Sequence, residues 1–316
     1  MNIKKIGLTA LAGSLVATSA FAGAMSVTGG ASINVEHING GAADTGKAWS
    51  MGNQLTFSGS GELDNGLNVS LSFVIDQGDD EMGTEVSPFD SHSVTVSSDA
   101  LGSLKFSGEG GSSATSALDT TAAGDIWDAY DIATTVHPTG IGGGSNSMFY
   151  TLPALMDGLS ISASYAPTGS GAVGTEAASG YSATYTGVDG LSVSYGTGDG
   201  STANTSADAL KASYAYGPIT VAYSNYEYDA DGTSSDDDTT SYKVSYTVSD
   251  EISISYGTET IERAALEDVE TSRISASYTA GGMTISATMD EIENMDGTTT
   301  ATQDRERWAL GASFAF

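Results

Sequence analysis

The chain has 316 residues, with 10 basic and 40 acidic side chains, a formal net charge of −30 and no cysteine. A charge this negative argues against nucleic acid as a partner, because phosphate binding needs a basic surface. The lack of cysteine excludes a fold held together by disulfides. Glycine, serine and threonine are abundant, but aromatic and β-branched residues alternate with them in a register that a disordered chain would not keep.

Residues 1–22 have the pattern of a secretory signal peptide. Lys4 and Lys5 precede an apolar segment, 6–17, which is too short to cross a bilayer as a helix. Ala20-Phe21-Ala22 provides a small-x-small cleavage site, so we expect the exported chain to begin at Gly23. The alternative for this segment is a buried N-terminal helix.

Apolar and small polar side chains alternate along about sixteen segments of residues 23–316, and this period of two predicts half-buried β-strands. Leu159, Ile161 and Ala163, for example, alternate with serines. None of the segments has the spacing of a helix. The predicted strands are 24–37, 47–63, 67–77, 90–99, 102–109, 145–155, 159–166, 179–187, 190–198, 206–216, 218–229, 239–248, 251–261, 270–279, 282–292 and 304–316.

Short turns alternate with long acidic loops between these strands. Asp157-Gly158, Asp189-Gly190 and Gly281-Gly282 are typical of tight turns, and a long loop rich in Gly, Ser and Thr lies between successive turns. Alternating short and long connections with an even strand count are typical of an outer-membrane barrel. The predicted fold is therefore all-β: a transmembrane, up-and-down antiparallel β-barrel that encloses an aqueous channel.

Basic residues occupy the side of each strand opposite to its apolar residues. In a barrel that side faces the lumen, so we predict that they line a pore. Lys47, at a loop end, is the exception, and the acidic residues mostly avoid the strands and collect in loops. The predicted pore-lining residues are Lys105, Lys211, Lys243, Arg263, Arg273, Arg305 and Arg307.

The longest connection, 110–144, is predicted to fold into the barrel and narrow the channel. It contains Asp119, Asp125, Asp128 and Asp131, with apolar and aromatic residues between them that need a surface to pack on. The acids would then face lysines and arginines on the opposite wall and produce a transverse field. The alternative is an external loop that contains a short helix.

The signal peptide, the sixteen alternating strands, the long third loop and the terminal Phe316 together resemble a Gram-negative general porin of the alphaproteobacterial type. The segment before that loop reads Gly102-Ser103-Leu104-Lys105-Phe106-Ser107-Gly108. The resemblance implies a homotrimer of water-filled pores that pass small hydrophilic solutes across the outer membrane, reached through the periplasm. It also implies that Phe316 is recognised by the barrel-insertion machinery. General porins often carry a dense arginine cluster at the constriction, whereas basic residues are sparse here.

The first five strands differ from the others in composition. No tyrosine occurs from Gly23 to Ala129, and Gly29, Ala31 and Gly59 lie on the apolar side of the first two strands. Strands that pack against a neighbouring subunit need small residues and no interfacial aromatic girdle, so we predict that strands 1–5 and 16 form the three-fold contact. Composition drift along the chain is the alternative.

Acidic residues crowd the long loops, and the segments 76–81, 229–238, 259–270 and 290–296 are predicted to lie on the outer rim. A hydrated acidic rim explains them, and a Ca²⁺ site at Asp79, Asp80, Asp236 and Asp237 is the alternative, because Ca²⁺ takes several oxygen ligands from such loops. Divalent cations would also link these loops to lipopolysaccharide.

Two other classes of protein fit the sequence less well than a channel. The three histidines, His37, His92 and His137, have no metal-ligand spacing and no local Ser or acid partner, which argues against a barrel hydrolase. The strand spacing recurs without the repeated sequence that a β-solenoid surface protein would show. The sequence therefore predicts a non-enzymatic diffusion channel with a weak cation preference and no cofactor, with Ca²⁺ at the external loops as the alternative. A substrate-selective channel is the closest alternative function.

Overall fold

The computed structural model describes residues 25–40, 48–76, 89–116, 118–130, 143–169, 171–230, 236–264, 266–299 and 303–316. Within these ranges, sixteen antiparallel strands pair in sequence order, and β1 pairs with β16 to close the barrel. The predicted all-β, up-and-down fold is therefore confirmed. The predicted signal peptide, 1–22, lies outside the described residues.

The strand bounds lie within a few residues of the predicted ones at nearly every position. The strands are β1 (Ser26–Asn39), β2 (Ala48–Glu62), β3 (Asn68–Asp76), β4 (Phe89–Ser98), β5 (Gly102–Glu109), β6 (Ser147–Thr151), β7 (Leu159–Ala166), β8 (Ala178–Tyr185), β9 (Leu191–Asp199), β10 (Ser206–Tyr216), β11 (Ile219–Asp229), β12 (Asp237–Thr247), β13 (Ile252–Arg263), β14 (Val269–Ala280), β15 (Met283–Glu293) and β16 (Arg305–Ala315).

Strand β6 is shorter than predicted. It ends at Thr151 instead of continuing to residue 155. The Leu152 N–H still donates to the Ile161 carbonyl at 2.9 Å. Pro153 has no N–H to continue the ladder, so the chain leaves the sheet there.

The two faces of the barrel wall carry different side chains. On the outer face, Ile274 is 59% and Met289 is 69% exposed. On the inner face, hydroxyl groups pair across strands, as in the 2.7 Å hydrogen bond between Ser255 and Ser275. Among the described residues, no helix is long and apolar enough to span a membrane. The wall is thus apolar outside and polar inside.

The largest buried apolar cluster lies inside the barrel, where the connection from β5 to β6 packs on the wall. This connection, residues 110–144, is hereafter the long loop, and its described parts are 110–116, 118–130 and 143–144. The cluster joins loop residues to side chains of β13, β14 and β15 and to the segment that follows β15. Its buried members are Ala123, Ile126, Tyr130, Ile261, Val269, Ile292 and Met295. The prediction that the loop folds inward is confirmed.

The C-terminus completes the ring. The Phe316 N–H donates to the Gly29 carbonyl at 3.0 Å, and the Gly29 N–H donates back to Phe316 at 2.8 Å. The Phe316 ring occupies the space that a side chain at Gly29 would need. The role of Phe316 as an insertion signal stays a prediction.

Glycines with positive φ form the tight turns, and some of them, such as Gly190, also lie against a neighbouring turn. Gly190 has φ of 74°, and a Cβ atom there would fall on the Ala215 carbonyl oxygen; Gly217 has φ of 57° and open space around it. The Ala215 N–H also donates to the Gly190 carbonyl at 2.8 Å. Of these two glycines, only Gly190 therefore has a steric reason to stay glycine beyond its backbone conformation.

We expect Gly190→Ala to lower the free energy of unfolding by about 1–3 kcal/mol more than Gly217→Ala. Both substitutions strain the left-handed backbone, but only the first forces atoms into contact. Urea unfolding of the barrel in lipid vesicles, followed by tryptophan fluorescence, measures the difference. Equal losses for the two variants would contradict the close approach of these turns.

Candidate functional site

The long loop is held to the inner wall by its backbone. Its backbone N–H groups donate to serine hydroxyls on three different strands. Because the donors are backbone groups, this attachment does not depend on the side chains of the loop. The pairs are Ala114 with Ser164 on β7 (2.8 Å), Ala122 with Ser224 on β11 (2.8 Å), and Ala123 with Ser241 on β12 (2.9 Å). The loop thus crosses the lumen along the wall from β7 towards β12.

A buried carboxylate on β13 makes the densest attachment. Glu259, which is 1% exposed, accepts hydrogen bonds from the backbone N–H groups of Ile126 at 2.8 Å and Trp127 at 3.2 Å. It also accepts from the hydroxyls of Thr121 and Thr271. Hydrogen bonds to a charged acceptor are worth roughly 1.5–3 kcal/mol each. Glu259 therefore fixes the tip of the described loop.

Two glycines let the loop lie close to the wall. A Cβ atom on Gly257 of β13 would lie 2.7 Å from the Ala123 Cβ, and one on Gly196 of β9 would lie 2.8 Å from a Leu118 methyl. Side chains at either position would push the loop away from the hydroxyls and carboxylate that hold it. The wall is therefore shaped for this loop as well as bonded to it.

Lys211 on β10 lies beside the acids of the loop. Its charge acts on Asp125 and Asp119, and the Thr121 N–H donates to Asp125 at 2.8 Å. Burial raises the pKa of the Asp125 carboxyl, while the hydrogen bonds from Thr121 and the charge of Lys211 act in the opposite direction. The Asp125 carboxylate of the loop therefore lies beside the wall that carries the Lys211 ammonium group.

Two arginines and two acids form a continuous network on the inner face of β14, β15, β16 and β1. Arg273 contacts Asp290 at 2.7 and 3.0 Å, and Arg307 contacts the same carboxylate at 2.6 Å. Arg307 also contacts Glu36 at 2.6 Å, and Arg273 reaches the Gly124 carbonyl of the loop at 3.4 Å. The four formal charges cancel, so the network adds little net charge to the lumen.

The other basic residues also lie on the inner side. Lys105 is directly opposite Phe149, which lines the lumen, and Lys243 shares the side of β12 that carries Ser241. Arg305 donates to the Gly40 carbonyl at 2.6 Å. Arg263 is buried 3.9 Å from Asp237.

Two sequence-based expectations about acids are wrong. Residues 259–270 and 290–296 were assigned to outer loops, but β13 extends to Arg263 and β15 to Glu293, so Glu259 and Asp290 are on the inner wall. The loop acids were also expected to face cations across the channel. Instead, Lys211 and Arg273 lie on the wall that the loop contacts. Asp128 lies in the short 3-10 helix Trp127–Tyr130, and Asp131 lies outside the described residues.

The predicted Ca²⁺ ligands are in part used elsewhere. Asp236 accepts from the Ala230 N–H at 3.0 Å, and Asp237 lies beside Arg263, while Asp79 and Asp80 fall outside the described ranges. In the part of the chain that the structure describes, no group of three His, Cys, Asp or Glu side chains could hold a metal ion.

Beside the loop, the lumen contains a cavity of about 450 Å³ lined mainly by hydroxyl groups. Lys211 supplies one ammonium group and Phe149 one aromatic ring, and Leu118 and Thr121 of the loop form its roof. The described histidines take no part, because His37 and His92 are on the outer face opposite Trp308 and Phe73. The arrangement can hold water and polar solutes. The wall hydroxyls are Ser162, Ser182, Thr184, Ser192, Ser194 and Ser213.

Solved structures share this architecture. An anion-selective porin from Comamonas acidovorans has a TM-score of 0.68 and 16% identity, with 93% of this chain and 99% of that chain covered. A multiple mutant of Rhodopseudomonas blastica porin has a TM-score of 0.67 and 16% identity, covering 93% and 100%. A loop-deletion mutant of OmpT, an outer membrane protein of Vibrio cholerae, has a TM-score of 0.65 and 14% identity, covering 93% and 100%.

The sequence comparisons find fewer similar proteins than the structural comparison does. No curated protein matches the chain by sequence. The family model for Gram-negative porins, however, matches residues 7–268, most of the chain. With the closed barrel and the inward loop, this match shows that the chain belongs to the Gram-negative porin family.

Proposed function

We propose that this porin forms a water-filled channel for passive diffusion of small hydrophilic solutes and ions across the outer membrane. The observation that carries the proposal is the hydroxyl-lined cavity left between the long loop and the wall of a closed barrel. A polar lumen inside an apolar wall lets water and solutes pass without contact with lipid. No enzymatic step is needed for this activity.

A weak cation preference is the second part of the proposal. The formal charge of −30 attracts cations to the channel mouth within a Debye length of about 8 Å. Arg273 and Arg307 contribute little in the opposite direction, because Asp290 and Glu36 neutralise them. Family membership does not fix the sign, since the similar Comamonas porin is described as anion-selective.

A homotrimer is the third part of the proposal, with contacts through β1–β5 and β16. On the outer face of β2 and β3, Phe57 and Phe73 stack with ring centroids 4.8 Å apart and an interplanar angle of 1°. This flat aromatic surface and the absence of tyrosine from these strands suit protein packing better than a lipid interface. Export through the periplasm by means of residues 1–22, and contact of the outer rim with lipopolysaccharide, complete the proposal.

A substrate-selective channel is the second candidate. The cavity combines one ammonium group, the six wall hydroxyls with that of Thr121, and the aromatic ring of Phe149, which is the chemistry that holds a hydroxylated anion. A saturable solute flux, or blocking of the ion current by such a solute, would favour this candidate over general diffusion.

Planar bilayer recordings in a KCl gradient test both the channel and its preference. We expect step-wise conductance and a reversal potential that indicates weak cation preference. Lys211→Gln should raise the cation-to-anion permeability ratio about twofold. A unit charge at ~8 Å in water is worth ~0.5 kcal/mol, which salt screening over one Debye length reduces to ~0.2 kcal/mol, with opposite signs for the cation and the anion. Lys211→Arg is the control that keeps the charge and should leave the ratio unchanged.

A double variant tests the neutralised network in the same recordings. Glu36→Gln with Arg307→Gln removes one charge of each sign and leaves Asp290 paired with Arg273, so the reversal potential should not move. Absence of conductance from folded protein would overturn the channel proposal. Anion preference of the unaltered protein would overturn only the proposed sign.

The attachment of the loop to Glu259 gives a further prediction. Glu259→Ala leaves the buried N–H groups of Ile126 and Trp127 without an acceptor, at a cost of roughly 1–3 kcal/mol each. We expect increased current noise and frequent brief closures in single-channel records. Glu259→Gln keeps the volume and one acceptor oxygen, so its effect should be smaller, and a channel as quiet as the unaltered one in both variants would contradict the role of this contact.

A further inference from the structure

The cavity beside the long loop, hereafter the loop cavity, has a regular arrangement of hydroxyl groups that comes from the strand register. Ser162 on β7 lies directly opposite Ser182 on β8. Thr184, two residues further along β8, lies opposite Ser194 on β9 and hydrogen-bonds to it at 2.9 Å. Neighbouring strands are about 4.8 Å apart, and successive inward residues of one strand are about 7 Å apart. The wall therefore presents hydroxyl groups at short, fixed intervals.

These hydroxyl groups keep hydrogen-bonding capacity for a solute. A hydroxyl group donates one hydrogen bond and accepts two. The bond between Thr184 and Ser194 therefore leaves one hydrogen atom and most of the lone pairs for another partner. Ser192 and Ser213 form a second opposed pair in the cavity, one row nearer the tight turns. A solute with several hydroxyl groups can thus exchange its hydrogen bonds to water for bonds to this wall.

Apolar groups complete the loop cavity. Leu118 of the long loop forms part of its roof, and Phe149 on β6 contributes an aromatic ring. Leu118 lies close to the wall because Gly196 has no side chain, and a Cβ atom there would lie 2.8 Å from a Leu118 methyl. A sugar ring has hydroxyl groups at its edge and C–H groups on its faces, so it matches this combination. The volume of about 450 Å³ is within the range of sites for small molecules.

Lys211 gives the loop cavity one positive charge. It lies directly opposite Ser194, in the same row as Thr184. None of the ion pairs in the described part of the barrel involves Lys211. Asp119 and Asp125 of the long loop act on it through charge, but neither lines the cavity. The ammonium group can therefore contact one carboxylate of a solute, whereas a second negative charge would be repelled by the two loop acids.

We propose that the loop cavity binds a monosaccharide acid, which is a sugar ring that carries one carboxylate. The carboxylate contacts the Lys211 ammonium group, the ring hydroxyls bond to Thr184 and Ser194, and a C–H face packs on Leu118. This inference rests on the proposed channel and specifies the solute class of its substrate-selective form. The acidic mouth slows the entry of an anion but does not weaken a contact inside the cavity, because salt screens the field of the mouth over about 8 Å.

Other small solutes fit the loop cavity less well. A neutral sugar lacks the charged contact with Lys211. A carboxylate without hydroxyl groups leaves the wall hydroxyls without a replacement for their bonds to water. An amino acid brings an ammonium group beside that of Lys211, and a sugar phosphate brings a second negative charge beside the loop acids. One carboxylate combined with several hydroxyl groups is therefore what the cavity selects.

Blocking of the ion current tests the proposal in the full-length porin. Planar bilayer recordings in KCl are titrated with glucuronate, with glucose, and with cyclohexanecarboxylate, which has a ring and a carboxylate but no hydroxyl groups. We expect glucuronate to reduce the current at about tenfold lower concentration than either of the other two. A tenfold difference corresponds to ~1.4 kcal/mol, close to the contribution of one hydrogen bond to a charged group.

Two lysine variants separate a direct contact from a general field. Lys211→Gln should remove the tenfold advantage of glucuronate over glucose. Lys243→Gln is the matched control, because it removes the same charge from the inner face of β12, and Lys243 does not line the loop cavity. That control should keep the advantage.

Two double variants test the hydroxyl wall. Thr184→Val with Ser194→Ala should weaken the block by glucuronate and by glucose about fivefold, because both sugars lose hydrogen bonds, and should leave the block by cyclohexanecarboxylate unchanged. Ser255→Ala with Ser275→Ala is the matched control, since these hydroxyls also bond to each other on the inner face but do not line the loop cavity. That control should change none of the three.

Three outcomes would overturn the proposal while the conductance without solute stays normal. Equal block by glucuronate and cyclohexanecarboxylate in the parent protein would show that hydroxyl groups are not recognised. Equal block by glucuronate and glucose would show that no carboxylate contacts Lys211. An equal effect of Lys211→Gln and Lys243→Gln would replace the site with a general field of the lumen. Loss of the conductance itself would instead count against the proposed channel.

Discussion

In a closed barrel every strand has a hydrogen-bonded neighbour at both edges, and each side chain must point either outward or into the lumen. Here the pairing of β1 with β16, completed by Gly29 and Phe316, imposes that choice on the whole wall. Serines and threonines point inward and Ile274 and Met289 point outward, so the wall has no apolar interior between layers. The apolar core of the molecule must therefore come from a segment that enters the lumen.

The long loop supplies that core, and backbone chemistry keeps it in place. Its N–H groups would lose hydrogen bonds to water when it packs on Ile261 and Val269, and serine hydroxyls and Glu259 replace those bonds. Each attachment comes from a different strand, so the position of the loop depends on the register of the whole barrel. The channel width is therefore a property of the closed wall and not of the loop sequence alone.

The strands were predictable because a period of two is a local signal, and β6 departs from its prediction where Pro153 interrupts the ladder. Parity also predicts the inner side for the cations, where Lys211 lines the cavity and Arg273 and Arg307 contact Asp290. The same parity rule predicts that Asp290 points inward, because its parity is opposite to that of Met289. The prediction that it lies in an outer loop is wrong because it rests only on the local density of acidic residues. The partner of Arg307 was beyond local reach, because Glu36 precedes it by 271 residues and meets it only through barrel closure. The loop attachments depend on the same closure.

Asp290 gives the network a consequence for how such channels diverge. One buried carboxylate serves two guanidinium groups, from Arg273 and Arg307, and its loss would leave Glu36 as their only counter-charge. A single substitution at Asp290 would therefore change the net charge of this cluster from zero to positive without changing the arrangement of the strands. Relatives that share this architecture can therefore differ in ion preference while their folds superimpose.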